Sequence, residues 1–270
     1  MEQIISYNKA PLVELIIEIQ WSVATIGIAG APPIVAGQST ALDLWFPSLT
    51  ERLRTQGFHN LERMVPHEMF AMAHQPIYRY SKDGARFPII QFGHGVFTIN
   101  TGPPNYHSWV AFRSQVEQAM TALVDTKSND EPAAFSRIML RYINRFDAEL
   151  RAGLSNYAFI RDDLGVTIGM PPGLIDLASN PNRINPTLAI SFPVHGKDNA
   201  NMTFQITAAR LGDSQETDTI LDMAYAIDGD MPVMTDAILD RLQEAYAVIH
   251  SWFENLTINI RARMDPVLMD

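Results

Sequence analysis

"FSRIMLRYINRF", Phe135–Phe146, decides the fold. Ile138, Leu140, Tyr142, Asn144 and Phe146 alternate with Arg137, Met139, Arg141, Ile143 and Arg145. Period two with β-branched and aromatic residues predicts a strand with one face on a core. The same pattern opens the chain. In "LVELIIEIQW", residues 12–21, Val13, Leu15, Ile17, Ile19 and Trp21 share one face, and Glu14, Ile16, Glu18 and Gln20 share the other. An organisation that begins with one such strand therefore restarts in mid-chain.

The two strands introduce elements in a similar order. After the first comes "ATIGIAGAPPIVAG", residues 24–37, a loop. "PSLTERLRTQG", residues 47–57, reads as a short helix, with Pro47 suited to the first helical position and Gly57 to the C-terminal cap. Residues 77–100 then read as a meander of three strands. Asp83-Gly84 marks the first turn, Gly93 to Gly95 the second, and Val96, Phe97 and Ile99 belong to the third strand. In residues 105–124, Tyr106, Trp109, Phe112, Val116, Met120 and Leu123 recur at three- and four-residue steps. That predicts a long helix with Asn105 as its N-cap. "DTKSNDEP", residues 125–132, is polar and Pro-ended and predicts an exposed connection.

After the mid-chain strand, residues 148–185 are looser, with a short helix expected near 172–178. Three strands come next, at 187–195, 202–211 and 219–228. The closing helix at 234–256 carries the stripe Ile238, Leu242, Tyr246, Ile249, Phe253 and Leu256. The expected fold is α+β, with two similar β-α-β-β-β-α units, antiparallel meanders each followed by a long helix. The units span residues 1–128 and 129–270, packed as one compact body. This internal duplication is one of element order and hardly at all of residue identity.

Composition narrows the function classes. Among 270 residues there is no cysteine, which rules out thiol nucleophiles, disulfides and thiolate metal sites. The formal net charge of -10 disfavours nucleic acid as a partner. No basic segment followed by an apolar stretch stands near the N-terminus, and the least polar segment is too short to span a bilayer and holds Pro32 and Pro33. A cytoplasmic location without membrane contact is expected.

Motifs with chemical meaning are few. "FGHGVFTINTGPPNYHSWVAFR", residues 92–113, has two glycines and two histidines, but a Gly-x-Gly inside an antiparallel meander is no dinucleotide fingerprint. A strand, a tight loop and a helix start explain it better. If the loop does hold a ligand, His94, Tyr106 and His107 are the residues to line its mouth. In "HEMFAMAH", residues 67–74, the histidines stand seven apart where a zinc helix needs four, so both are expected on a solvated surface or loop. "LGDSQE", residues 211–216, has Glu216 where a nucleophile elbow needs its last glycine. Asp162-Asp163 and the pair Asp228 and Asp230 fall in expected turns. We assign no catalytic residue, no metal and no cofactor.

Arg137, Arg141 and Arg145 stand on one strand face at spacings of four. They form either an anion-binding surface or one side of an intramolecular charge ladder. The ladder reading is favoured, with Glu14 and Glu18 of the first strand as the facing charges. Methionine is plentiful at 13 residues. Met64, Met69, Met72 and Met170 fall outside the apolar stripes, which points to an adaptable surface for self-association or a partner.

Three segments together resemble a known family: Pro11-Leu12-Val13-Glu14; Phe97 to Asn100 followed by Tyr106 to Trp109; and Leu140 to Asn144. The chain is similar in them to a sporadically distributed, functionally uncharacterised bacterial protein family of about this length. The resemblance implies an accessory role, such as phage defence, a toxin–antitoxin pair or a mobile element. It carries over no catalytic residue. The favoured expectation is thus a non-catalytic binding or interaction protein, oligomeric or partnered. The alternative is an enzyme or small-anion-binding protein whose site lies between the two halves, with Arg141, Asn144 and Tyr106 converging.

Overall fold

The structure, a computed structural model, describes residues 4–26, 34–35, 40–127, 132–169, 173, 177–180, 184–210 and 217–268. The chain folds as an α+β protein around one large antiparallel sheet. Strand β1 (Ile4–Tyr7) comes first, then β2 (Leu12–Gln20). A small hairpin, β3 (Thr25–Ile26) with β4 (Ile34–Val35), leads to helix α1 (Thr40–Thr55). The strands β5 (Asn60–Arg63), β6 (Pro76–Ser81), β7 (Ile89–Gly93) and β8 (Val96–Thr101) then run into α2 (Trp109–Thr126). Strand β9 (Phe135–Phe146) restarts the order. It is followed by a helical turn, α3 (Asn156–Ala158), that runs on as a π-helical segment (Phe159–Asp163). Strands β10 (Leu188–Pro193), β11 (Ala200–Ala209) and β12 (Asp218–Met231) precede α4 (Thr235–Leu256). A 3₁₀ segment (Ile258–Met264) and β13 (Pro266–Leu268) close the described chain.

The nine-stranded sheet has the order β10-β11-β12-β9-β2-β8-β7-β6-β5. Its centre is the antiparallel pair β2 and β9, with Ile17 opposite Leu140 and Ile19 opposite Ile138. Outward from that pair, each half pairs its first strand with the last strand of its own meander: β2 with β8, and β9 with β12. The order therefore reads the same way on both sides, except that the first half carries one more strand, β5. Leu15, Ile17, Ile19, Ile138, Leu140 and Phe146 are buried, while Glu14, Glu18, Arg141 and Arg145 on the alternate face are not. Helix α1 lies beside α2, and α2 beside α4, which covers β9 and β12. The three helices thus cover one face, and a single apolar core runs through both halves beneath them.

Several boundaries differ from those expected, for local reasons. Leu12, not Val13, faces the core, because the β2–β9 register shifts between Leu12 and Glu14. Helix α1 begins seven residues before Pro47, which lies inside it. Proline removes one backbone bond there, but Trp45, Leu49 and Leu53 are buried along the same face and hold the helix through it. Gly57 does follow the helix end, at a positive φ of 90°. Ser108 rather than Asn105 caps α2, its hydroxyl accepting the Ala111 N–H at 3.2 Å, so Tyr106 and His107 precede the helix. Strand β5 and the β1–β13 pair were not expected. The anticipated helix near 172–178, the loop at 24–37 and the linker at 125–132 lie in large part outside the described residues, as do Met170 and the stretch 211–216.

Candidate functional site

The outer face of the sheet holds the arginine ladder. Arg137, Arg141 and Arg145 project from β9 toward β12, whose aspartates meet them one by one. Arg137 Nη1 donates to Asp228 Oδ1 at 2.8 Å. Arg141 takes Asp222 with two bonds, Nε to Oδ1 at 2.9 Å and Nη2 to Oδ2 at 2.5 Å. Arg145 Nε donates to Asp218 Oδ2 at 2.6 Å. Internal pairing is thus what these residues do, but the partners are not Glu14 and Glu18. Glu18 stands opposite Met139 and Glu14 opposite Ile143. Their carboxylates accept instead from neutral amides: Glu14 from Asn100 at 2.8 Å and Glu18 from Gln20 at 2.6 Å. The glutamates still act through space. The Asp222 hydrogen bond raises Arg141 above its ordinary value against the opposing effect of burial, with smaller contributions from Glu18 and Glu14.

Arg141, Asn144 and Tyr106 do not converge. Arg141 and Asn144 are three residues apart on one strand and so lie on opposite faces. Asn144 is buried on the helix side, where its Nδ2 has no hydrogen-bond partner among the described residues. The Tyr142 hydroxyl is buried on the same side, close to Tyr106. Beside them a column of flat rings fills the seam between α2 and α4. Trp109 stacks on Tyr246 with centroids 4.8 Å apart, Tyr246 stacks on His250, and Trp109 Nε1 donates to Gln243 Oε1 at 2.7 Å. His94 lies on the β7–β8 turn and His107 is exposed ahead of α2. His67 and His74 lie in the loop between β5 and β6, as their spacing indicated.

Burial is the first cause of the tyrosine shifts here. It pushes Tyr106 up to about 12 and Tyr80 up to about 12, and it takes Tyr142 well above the ordinary 10.0. The folded state therefore favours the neutral phenols. Their stabilisation is present in full below pH 10 and is lost as pH climbs through about 12. In an alkaline titration followed at once by phenolate absorbance and circular dichroism, ionisation of this group should coincide with unfolding. Full tyrosine ionisation near pH 10 with native dichroism would count against their burial.

One surface stands apart. Strand β5 and the loop from it to β6 expose large apolar side chains in a short stretch: Leu61 on the strand, then Met64, Met69 at 61%, Phe70 at 79% and Met72. It lies at the sheet's outer margin, since β5 pairs only with β6 among the described residues. The three methionines were marked in the sequence by standing outside every apolar stripe. Phe70 had no such signal. A polar recess at the β10–β11 turn is lined by Lys197, Asp198, Asp228, Asp230, Arg241 and Glu244. Both of its cations pair with Glu244, Lys197 at 3.2 Å and Arg241 at 3.4 Å, and Asp228 is taken by Arg137. Among the described residues no group of three or more His, Asp or Glu side chains is placed to hold a metal ion, and no helix is long and apolar enough to cross a membrane. The chain matches no model of a known protein family, no curated protein and no solved structure.

Proposed function

We propose that the chain is a non-catalytic interaction protein that docks a protein partner at the β5 margin of its sheet. The observation that carries this reading is the exposed run Leu61, Met64, Met69, Phe70 and Met72 beside an edge strand. A free strand edge offers unpaired N–H and C=O groups, and flexible thioethers adapt to the side chains that come with a partner strand. An extended segment of the partner fits both features. The pairing of the arginine ladder with Asp218, Asp222 and Asp228 weighs against the small-anion alternative, because no guanidinium of the ladder waits for an anion. The formal charge of -10 weighs against nucleic acid. The family resemblance favours an accessory component of a bacterial defence or toxin–antitoxin type system, working in the cytoplasm.

Native mass spectrometry of protein isolated from its own host tests this. A bound partner chain is expected, and Phe70→Asp together with Met69→Asp should remove it. Both side chains are exposed, so the melting temperature should hold. A retained small molecule in place of a partner chain would overturn the reading in favour of the ligand alternative.

A further inference from the structure

The outer face of the sheet is not uniform. On β11 it carries Asn201, Thr203, Gln205 and Thr207, the polar row expected of a strand face in water. The three central strands differ, because each charged side chain there has an aliphatic neighbour across the ladder. Glu18 stands opposite Met139, Arg141 lies between Ile16 and Ala224, and Glu14 stands opposite Ile143. Ile16, Met139 and Ile143 are only half-buried, and the ladder arginines leave 36% to 41% of their side-chain surface open. The face is therefore open to solvent and more apolar at its centre than toward β11, as a contact surface is. Its charges are unevenly matched. Arg137, Arg141 and Arg145 are each met by an aspartate of β12, whereas Glu14 and Glu18 touch no cation among the described residues and accept one amide bond each. Pairing does not exhaust the arginines. A guanidinium has five N–H groups, and Arg137 and Arg145 each spend one of them on an aspartate, through Nη1 and Nε. Carboxylates with an oxygen to spare and guanidinium groups with donors to spare thus stand in neighbouring columns, on β2 and β9, both at spacings of four.

We propose that a second copy of this chain packs on this face, outer face against outer face, about a two-fold axis that runs along the strands between β2 and β9. Such an axis lays β2 of each copy over β9 of the other. Sheets packed face to face stand about 10 Å apart, which lets their side chains interdigitate. The register decides what meets. Glu18 is level with Met139 and Glu14 with Ile143, so each glutamate of one copy enters a gap between two arginines of the other. Glu18 falls between Arg137 and Arg141, and Glu14 between Arg141 and Arg145. The aliphatic side chains of Met139 and Ile143 receive their stems. A different protein would need an acidic and a basic column side by side, at this spacing and with this offset. The chain already carries both. Each face has five carboxylates, Glu14, Glu18, Asp218, Asp222 and Asp228, against three arginines. That surplus opposes the contact, so the dimer is expected at micromolar strength. The inference goes beyond the reading of the β5 margin and does not depend on it.

Sedimentation equilibrium of the purified full chain, from about 1 to about 200 µM, reads the association directly. A monomer–dimer equilibrium is expected. Glu14→Arg together with Glu18→Arg sets cations against the arginines of the other copy and should weaken the dimer at least about tenfold. Val110→Glu, on the helix side of the sheet at a side chain 79% exposed, should leave it unchanged. The chain has no cysteine, so Ile16→Cys supplies one thiol per copy while keeping every charge in place. A bismaleimide reaching about 10 Å, the spacing of packed sheets, should join two Ile16→Cys chains and not two Val110→Cys chains. This crosslink decides the matter if the charge-reversed variant fails to fold. A monomer at every concentration would overturn the inference. So would a dimer that survives the charge reversal and is lost with Met69→Asp and Phe70→Asp, because the copies would then meet at the β5 margin. Neither result touches the search for a host partner at that margin, which native mass spectrometry decides separately.

Discussion

Gly93→Ala is expected to destabilise the fold by on the order of 3 kcal/mol or more, although it adds a single methyl group. A Cβ at position 93 would lie 2.1 Å from the Gln75 carbonyl oxygen and 3.0 Å from the Ile77 amide nitrogen. Both are backbone atoms of the chain entering β6. They cannot swing aside as a side chain end can. Gly93 is held from two directions, paired with Pro76 on one side and Val96 on the other, and the β6–β7 register shifts between Pro76 and Tyr78 where the chain passes it. A methyl group there must therefore open the ladder. Gly84→Ala is the matched control. Its surroundings are open, and only its φ of 65° opposes a side chain, so about 1 kcal/mol is expected. Urea unfolding of the two variants measures both. A Gly93→Ala protein within about 1 kcal/mol of wild type would show that β6 and β7 do not approach this closely. The result also bears on the glycines of "FGHG". At Gly93 the need is close backbone approach. At Gly95 it is a φ of 74° beside the Trp21 carbonyl. Neither requirement involves a ligand.

Strands with one buried face were legible because alternation is a local signal. β2, β9, β11 and β12 all carry it, and their burial alternates along each strand. β5 was not legible. "NLER" is short, polar and mostly exposed, and it is a strand only because β6 lies beside it. Helix α1 was cut short because Pro47 imitates a helix start, and only the packing of Trp45 and Leu49 across it shows otherwise. That the two first strands lie side by side followed from the repeated order, and β2 does pair with β9; which strand answers the arginines was out of reach, since β9 has two neighbours and the sequence does not rank them. The apolar surfaces were half legible. Met64, Met69 and Met72 stood outside any stripe. The exposure of Phe70 depends on what the rest of the chain leaves uncovered, and no window of sequence contains that.

Arg145→Ala is the second large effect, at about 3 kcal/mol, and the arginine ladder should show a gradient that leads up to it. At one end, Asp228 is well exposed, and losing Arg137 leaves a carboxylate that water can hydrate. About 0.5 kcal/mol is expected there. In the middle, Asp222 is more enclosed and holds Arg141 with two bonds, so Arg141→Ala should cost between the two extremes. At the far end, the Asp218 side chain is only 6% exposed. Removing Arg145 strands that carboxylate at the start of β12, where little water reaches it. Asp218→Ala alone should cost less than Arg145→Ala, because Arg145 is open to solvent and can be rehydrated. The double variant should then fall well short of the sum of the singles. Arg141→Ala with Glu18→Ala should add to within about 0.5 kcal/mol, since Glu18 touches Arg141 only through space and spends its hydrogen bond on Gln20. Thermal or urea unfolding of the seven variants decides the matter. Additive Arg145 and Asp218 changes, or strong coupling between Arg141 and Glu18, would mean that β9 takes its charges from β2 rather than β12. The arginines would then be bound to the other half of the chain, with β9 still lying between β12 and β2.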